Sequence, residues 1–155
     1  MMIKVGDSVP KLPLITSEGE RISLPDFKGE IVVLYFYPKD NTPGCTAQAC
    51  SFRDNHEKFN QLNATIIGVS PDSKESHESF KEQHDLPYTL IVDEKHQLAE
   101  EFGVCKVKVK AGHEYYSNQR STFVIDRSGI IKKAFLDVQV DGHVDEVLQA
   151  IKEID

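Results

Sequence analysis

The chain has 155 residues, of which 39% are hydrophobic and 28% charged, the make-up of one globular domain over 1–155 with room for a sizeable core. Its formal net charge of −7, with no basic stripe to offset it, argues against a nucleic-acid partner. No apolar run approaches the roughly 18 residues of a membrane span, and Met1-Met-Ile-Lys-Val-Gly-Asp7 carries no apolar leader core, so no membrane association and a cytoplasmic location are expected.

Val9-Pro-Lys-Leu-Pro-Leu-Ile-Thr16 is extended, because each proline pushes its predecessor away from helix. Ser17-Glu-Gly19 turns it back into a short strand over Glu20-Arg-Ile-Ser23, which makes a hairpin. Leu24-Pro-Asp-Phe-Lys-Gly29 is a tight turn with two apolar anchors. Ile31 to Phe36 is uniformly apolar, as a strand covered on both faces should be. A helix from about Cys45 to Leu62 follows from Phe52, His56, Phe59 and Leu62, spaced three or four apart.

Ala64 to Ser70 is a second buried strand. A polar helix runs from Pro71–Ser73 to His84, with Ser73, Ser76, Phe80 and His84 on one narrow face. Thr89 to Asp93 is a short strand, and His96 to Phe102 a short helix stopped by Gly103. Cys105-Lys-Val-Lys-Val-Lys-Ala-Gly112 alternates valine with lysine. Outward lysines protect a sheet edge, so the segment reads as an edge strand or extended loop. Ser121 to Asp126 is a third apolar strand, and Arg127-Ser-Gly129 turns it into Ile130 to Phe135. Gly142 to Ile154 is an amphipathic helix with Val144, Val147, Leu148 and Ile151 on one face. Strands alternating with helices, ending in a hairpin and a helix, give an α/β fold with a mixed central sheet flanked by helices.

The chemistry concentrates where the strand Ile31 to Phe36 hands over to a helix, in Tyr37-Pro-Lys-Asp-Asn-Thr-Pro-Gly-Cys-Thr-Ala-Gln-Ala-Cys50. Cys45 falls at a helix start, where unpaired N–H groups and the positive end of the helix dipole favour the nucleophilic thiolate. Pro43 gives up a donor that would be unpaired there and fixes φ. Gly44 lets the backbone approach a small substrate. Thr42 reads equally as a helix cap and as a hydroxyl offered to the thiolate. A close cysteine pair in a reducing compartment is more often catalytic or metal-binding than structural.

On a regular helix the spacing of Cys45 and Cys50 puts their Cα atoms roughly 8.6 Å apart, beyond the about 6.8 Å that a disulfide spans. Either this segment is not helical or pairing must unwind its first turns. That separates the chain from Cys-x-x-Cys oxidoreductases, whose bridge fits an intact helix. No two histidines stand at i, i+4, and with the Cys45/Cys50 spacing they make no usual zinc pattern. Cys105 reads as a semi-buried thiol without a redox role. Lys106, Lys108 and Lys110 read as a solvated edge, and Tyr115 and Tyr116 as packing residues or, second, as a border of the pocket.

Thr42-Pro-Gly-Cys-Thr-Ala-Gln-Ala-Cys50, preceded by Tyr37-Pro-Lys-Asp-Asn41, closely resembles the active-site motif of the peroxiredoxins, in particular the bacterioferritin comigratory protein or peroxiredoxin Q subfamily. Arg120-Ser-Thr-Phe-Val-Ile-Asp126 is similar to the family's second signature. Gly6-Asp-x-x-Pro10 and Leu24-x-x-Phe27-x-Gly29 also fit, so the resemblance covers essentially the whole chain. The segment from Cys105 to Tyr116 is where the chain is least like the family.

The resemblance implies a thioredoxin-like fold with an N-terminal hairpin extension. It implies Cys45 as peroxidatic cysteine, Cys50 as resolving cysteine in an intramolecular disulfide, and Arg120 approaching the thiolate. Thr42 and Pro43 would line the pocket with Gly44, and Gln48 falls at a pocket position. It further implies reduction of hydrogen peroxide and organic hydroperoxides, recycling by thioredoxin, and neither a metal nor a bound cofactor. Members of the subfamily are often monomers, and an acidic surface with no evident apolar patch agrees. Two other readings stay open. One is a non-enzymatic peroxide sensor using the same cysteines, and the other a thioredoxin-like disulfide oxidoreductase.

Overall fold

A computed structural model describes residues 3–154; Met1 and Met2, read above for a leader, and Asp155 lie outside the described residues. The most apolar run forms strand β3 (Ile31–Phe36), buried along its whole length. Its alternate residues serve opposite faces, as the period of a strand requires. Ile31, Val33 and Tyr35 enter one apolar cluster, and Val32, Leu34 and Phe36 enter the other.

Around β3 a sheet of seven strands is built in the order β2-β1-β5-β4-β3-β8-β9. The hairpin β1 (Leu14–Thr16) and β2 (Arg21–Ile22) occupies one edge, and β8 (Ser121–Ile125) with β9 (Ile131–Phe135) the other. β3 pairs parallel with β4 (Ala64–Ser70), and β4 with β5 (Thr89–Val92), whereas β1 joins β5 and β8 joins β3 antiparallel. Helices α1 (Pro43–Asp54), α2 (His56–Gln61), α3 (Lys74–His84) and α5 (His143–Ile154) cover the face that carries Tyr35. The short α4 (Gln97–Glu101) covers the other. The mixed sheet between helices and the N-terminal hairpin are as expected.

Three local expectations change. The single helix over residues 45–62 is two helices. It starts at Pro43, with Thr42 as N-cap, and breaks at Asn55. There the Asn55 side chain donates to Ser51 O at 2.8 Å, taking the carbonyl that a continuous helix would offer to the Asn55 N–H. That N–H turns to Phe52 O instead.

In α3 the buried residues are His77 and Phe80, so the apolar face includes a histidine not assigned to it. The valine–lysine segment is not an edge of the main sheet. It is β6 (Cys105–Lys110), paired with β7 (His113–Asn118) in a separate two-stranded ribbon. Val107 and Val109 are 55% and 68% exposed. With Tyr116, 62% exposed, they form the apolar patch that the composition had not suggested. The alternation was legible, but a free ribbon has no core side for valines to choose.

Helix α5 is tied to the sheet by His143, which is 1% exposed. Its Nε2 lies 2.8 Å from Thr122 Oγ1 of β8, and its Nδ1 3.4 Å from Glu146. Burial holds this imidazole below its ordinary value, although the nearby Glu146 pulls the other way. The unfolded chain then binds the proton more readily, so this contribution to stability is complete above about pH 6.5 and is lost as the pH falls below it. Urea midpoints are expected to drop between about pH 7.5 and pH 5.5, and His143→Gln to remove part of that drop. An identical pH dependence in the variant would discount His143.

Candidate active site

The segment Tyr37–Thr42 leaves the carboxyl end of β3, where open α/β sheets form their crevices. It is pinned from below by a buried network. Tyr37 Oη donates to Asp40 Oδ1 at 2.6 Å, and Ser76 Oγ to Asp40 Oδ2 at 2.9 Å. His77 Nδ1 lies 2.7 Å from Asp40 Oδ2, and its Nε2 2.8 Å from Ile91 O. Since a carbonyl only accepts, Nε2 carries a proton. Asp72 accepts from Ser70 Oγ and from the Asp40 N–H. Asp40, Asp72 and His77 come close enough together to suggest a metal site, but their ligating atoms are engaged in these bonds. The network instead fixes where the chain enters α1.

Pro43 takes the first helical position, as its missing N–H allows. Cys45 follows as the third helical residue and is 1% exposed. Its Sγ receives a hydrogen bond from Arg120 Nη2 at 3.4 Å, while Arg120 Nη1 donates to Gln48 Oε1 at 2.7 Å. Gln48 is likewise 1% exposed, and its Nε2 has no hydrogen-bond partner among the described residues. Arg120 is brought here by register. β8 runs antiparallel to β3 with Ser121 opposite Phe36, so the residue before β8 lands beside the end of β3. Its carbonyl is held by the Val138 N–H at 2.9 Å.

Four of the expected residues therefore meet: Cys45, Gln48, Arg120 and Gly44. A Cβ at Gly44 would stand 3.0 Å from Arg120 Nη2, so the glycine also permits the close approach of the guanidinium. Thr42 makes no side-chain cap; its hydroxyl donates to Lys39 O at 2.9 Å, which leaves its lone pairs open. Pro43 is exposed.

All three cysteines are free thiols. Cys50 sits half-buried on α1, which is intact from Pro43 to Asp54, so the segment between the two cysteines is helical. Cys105 is half-buried, and burial, helped by Glu100 and Asp93, pushes its thiol up, consistent with an unreactive side chain.

Beside Thr42 lies a groove of about 900 Å³ lined by Pro38, Pro71 and, from the ribbon, Lys108, Lys110, Tyr115 and Tyr116. Tyr115 and Tyr116 thus border a cavity rather than pack in a core. Lys108 and Lys110 line this groove, and all three lysines of β6 are exposed, in keeping with the solvated lysines expected of the segment.

Sequence reading missed Asp40, His77 and the buried tyrosines Tyr35, Tyr37 and Tyr88. Asp40 stands three residues after Tyr37 at a strand exit, and His77 three before Phe80 on a helix. Both spacings carried a signal that was not used.

A mixed sheet wrapped by helices, with a buried cysteine at the first turn after a central strand, is the thioredoxin-like class. The model of the AhpC/TSA family matches residues 5–134. Peroxiredoxin Bcp of Bacillus subtilis (strain 168) is 53% identical over 154 residues, covering 99% of this chain and 98% of that protein. Peroxiredoxin Bcp of Escherichia coli (strain K12) is 42% identical over 151 residues, 97% of each.

Among solved structures, a cysteine-to-serine mutant of Xylella fastidiosa PrxQ superposes with a TM-score of 0.92 at 35% identity, covering 99% of this chain and 98% of that one. The Xanthomonas campestris bacterioferritin comigratory protein, studied for alkyl peroxide reduction, gives 0.90 at 35% identity, over 97% and 99%. The chain belongs to the AhpC/TSA family and, within it, to the Bcp/peroxiredoxin Q peroxiredoxins. It is a thiol peroxidase. Among the described residues no helix is long and apolar enough to cross a membrane.

Proposed function

We propose that Cys45 is the peroxidatic cysteine, Cys50 the resolving cysteine and Arg120 the cation that serves both thiolate and transition state. The observation that carries this reading is the guanidinium bridging Cys45 Sγ and Gln48 Oε1. The Cys45 thiolate attacks the outer peroxide oxygen. An S–O bond forms, the O–O bond breaks, and the departing alkoxide or hydroxide takes a proton. Arg120 faces the charge that moves onto that oxygen, and Gln48, as the pocket residue beside it, keeps its fork aligned. Thr42 and Gly44 form the entry, Thr42 with open lone pairs and Gly44 by leaving space; Pro43 sets the backbone at the helix start.

Cys50 then attacks the sulfenic sulfur, the S–O bond breaks and water leaves. Because α1 is helical between the two cysteines, this step unwinds residues 45–50. An external dithiol, thioredoxin, returns both thiols by exchange. The groove beside Thr42, with its tyrosine and proline walls, supports organic hydroperoxides alongside hydrogen peroxide. A monomer is the reading that the resemblance to the subfamily supports, and unprotected thiols suit the cytoplasm. The whole chain acts as one domain.

The test is a thioredoxin-coupled assay of hydrogen peroxide and organic hydroperoxides on wild type and Cys50→Ser. Wild type turns over both. Cys50→Ser consumes about one equivalent of peroxide and then stalls with Cys45 oxidised. Undiminished recycling in Cys50→Ser would reject Cys50. A single stoichiometric reaction in wild type would favour the peroxide sensor.

A further inference from the structure

A residue apart from the reacting groups grips the segment between the two cysteines. Tyr88, between α3 and β5, donates its hydroxyl to Ala49 O at 3.1 Å. Ala49 directly precedes Cys50. Tyr88 has one hydroxyl proton, so the 2.8 Å contact between the Tyr35 and Tyr88 hydroxyls is donated by Tyr35. Tyr35 and Tyr88 are 0% and 4% exposed. The Tyr35 ring stacks on Phe52 of the same helix with centroids 4.8 Å apart. Burial pushes both phenols well above their ordinary range, so they remain donors at every pH at which the enzyme works. A relay of two buried hydroxyls thus runs from the central strand to one carbonyl of α1.

To pair, Cys45 and Cys50 must bring their Cα atoms from roughly 8.6 Å to within about 6.8 Å. The turn holding Gln48 and Ala49 has to leave the helix, and Tyr88 then loses its acceptor. Stranding a buried donor opposes that motion. Nothing comparable opposes peroxide attack, which uses the helix as it stands.

We propose that Tyr88 is a positioning residue that latches α1 at Ala49, and so slows conversion of the Cys45 sulfenic acid to the disulfide while leaving the peroxide step untouched. This rests on the reading of Cys50 as resolving cysteine. The latch lengthens the life of the sulfenic acid, during which a second peroxide can carry it to sulfinic acid.

Tyr88→Phe keeps the ring and removes the donor. After one peroxide pulse, acid quench and mass spectrometry should find the Cys45–Cys50 disulfide forming about five-fold faster, the factor expected for one ordinary net hydrogen bond. The sulfinic fraction at high peroxide should fall accordingly, with the rate of peroxide consumption unchanged. Tyr35→Phe is the control. It removes a buried hydrogen bond of the same kind but keeps the bond to Ala49, so it should lower the urea midpoint and leave disulfide formation at the wild-type rate.

A residue that only stabilised the fold would not speed one chemical step. Disulfide formation in Tyr88→Phe at or below the wild-type rate overturns the latch, as does equal acceleration in Tyr35→Phe. If wild type forms no Cys45–Cys50 disulfide, the resolving assignment falls and takes the latch with it, a result distinct from unaltered kinetics.

Discussion

Cys45→Ser is expected to abolish peroxide turnover while leaving the fold in place. The sulfur is buried at the first turn of α1 and accepts from Arg120 at 3.4 Å. A serine hydroxyl fits the same space and can accept the same bond, so the urea midpoint should stay close to that of wild type. The chemistry does not survive, because the hydroxyl stays protonated where a thiol gives up its proton, and only the thiolate attacks peroxide. A coupled assay reads the activity and intact-mass analysis after peroxide reads the sulfur. The variant should show background consumption and no added oxygen on the residue 45 peptide. Turnover at the wild-type rate would overthrow the assignment, since Cys50 and Cys105 would then have to supply the nucleophile.

Arg120→Ala is expected to lower kcat/KM for peroxide by about 10² to 10³, the usual cost of removing one preorganised donor from a developing oxyanion. The loss should appear in the oxidation of Cys45 itself, followed in a Cys50→Ser background so that resolution cannot mask it. Arg120→Lys should recover only part. A single ammonium cannot reach Cys45 Sγ and Gln48 Oε1 with the fixed fork that a guanidinium provides. Alanine also leaves Gln48 buried with neither end of its amide paired, which should cost about 1–3 kcal/mol of stability, and urea denaturation separates that cost from the kinetic one. An unchanged kcat/KM would remove Arg120 from the mechanism.

Much of this was readable in the chain. The run Ile31 to Phe36 has no polar residue to turn outward, so only a strand covered on both faces could accommodate it. Proline and glycine after Thr42 mark a helix start, and a cysteine directly behind them needs no long-range information to be placed at its first turn. The i, i+5 spacing of Cys45 and Cys50 is a statement of helix geometry, and α1 follows it. Arg120 was reachable only through resemblance, because nothing local distinguishes an arginine beside a sulfur from one at a strand end in water.

Other features depend on competition that local sequence does not record. Asn55 breaks the helix because its side chain outcompetes its own N–H for Ser51 O, whereas the apolar spacing runs through it undisturbed. The valines of β6 are exposed because the ribbon packs on no core, so alternation alone could not say which side was inside.

Hydrophobic period, φ restrictions and unpaired N–H groups, all acting within a few residues, were enough to place the strands of the main sheet, the helix start and the cysteine in its first turn. Which distant groups attend that cysteine is settled by long-range packing. Antiparallel register carries Arg120 to the end of β3, a glycine leaves room for its guanidinium, and the return from α3 to β5 delivers Tyr88 to Ala49. Each of these depends on pairing and packing between segments far apart in the chain, where no local preference operates.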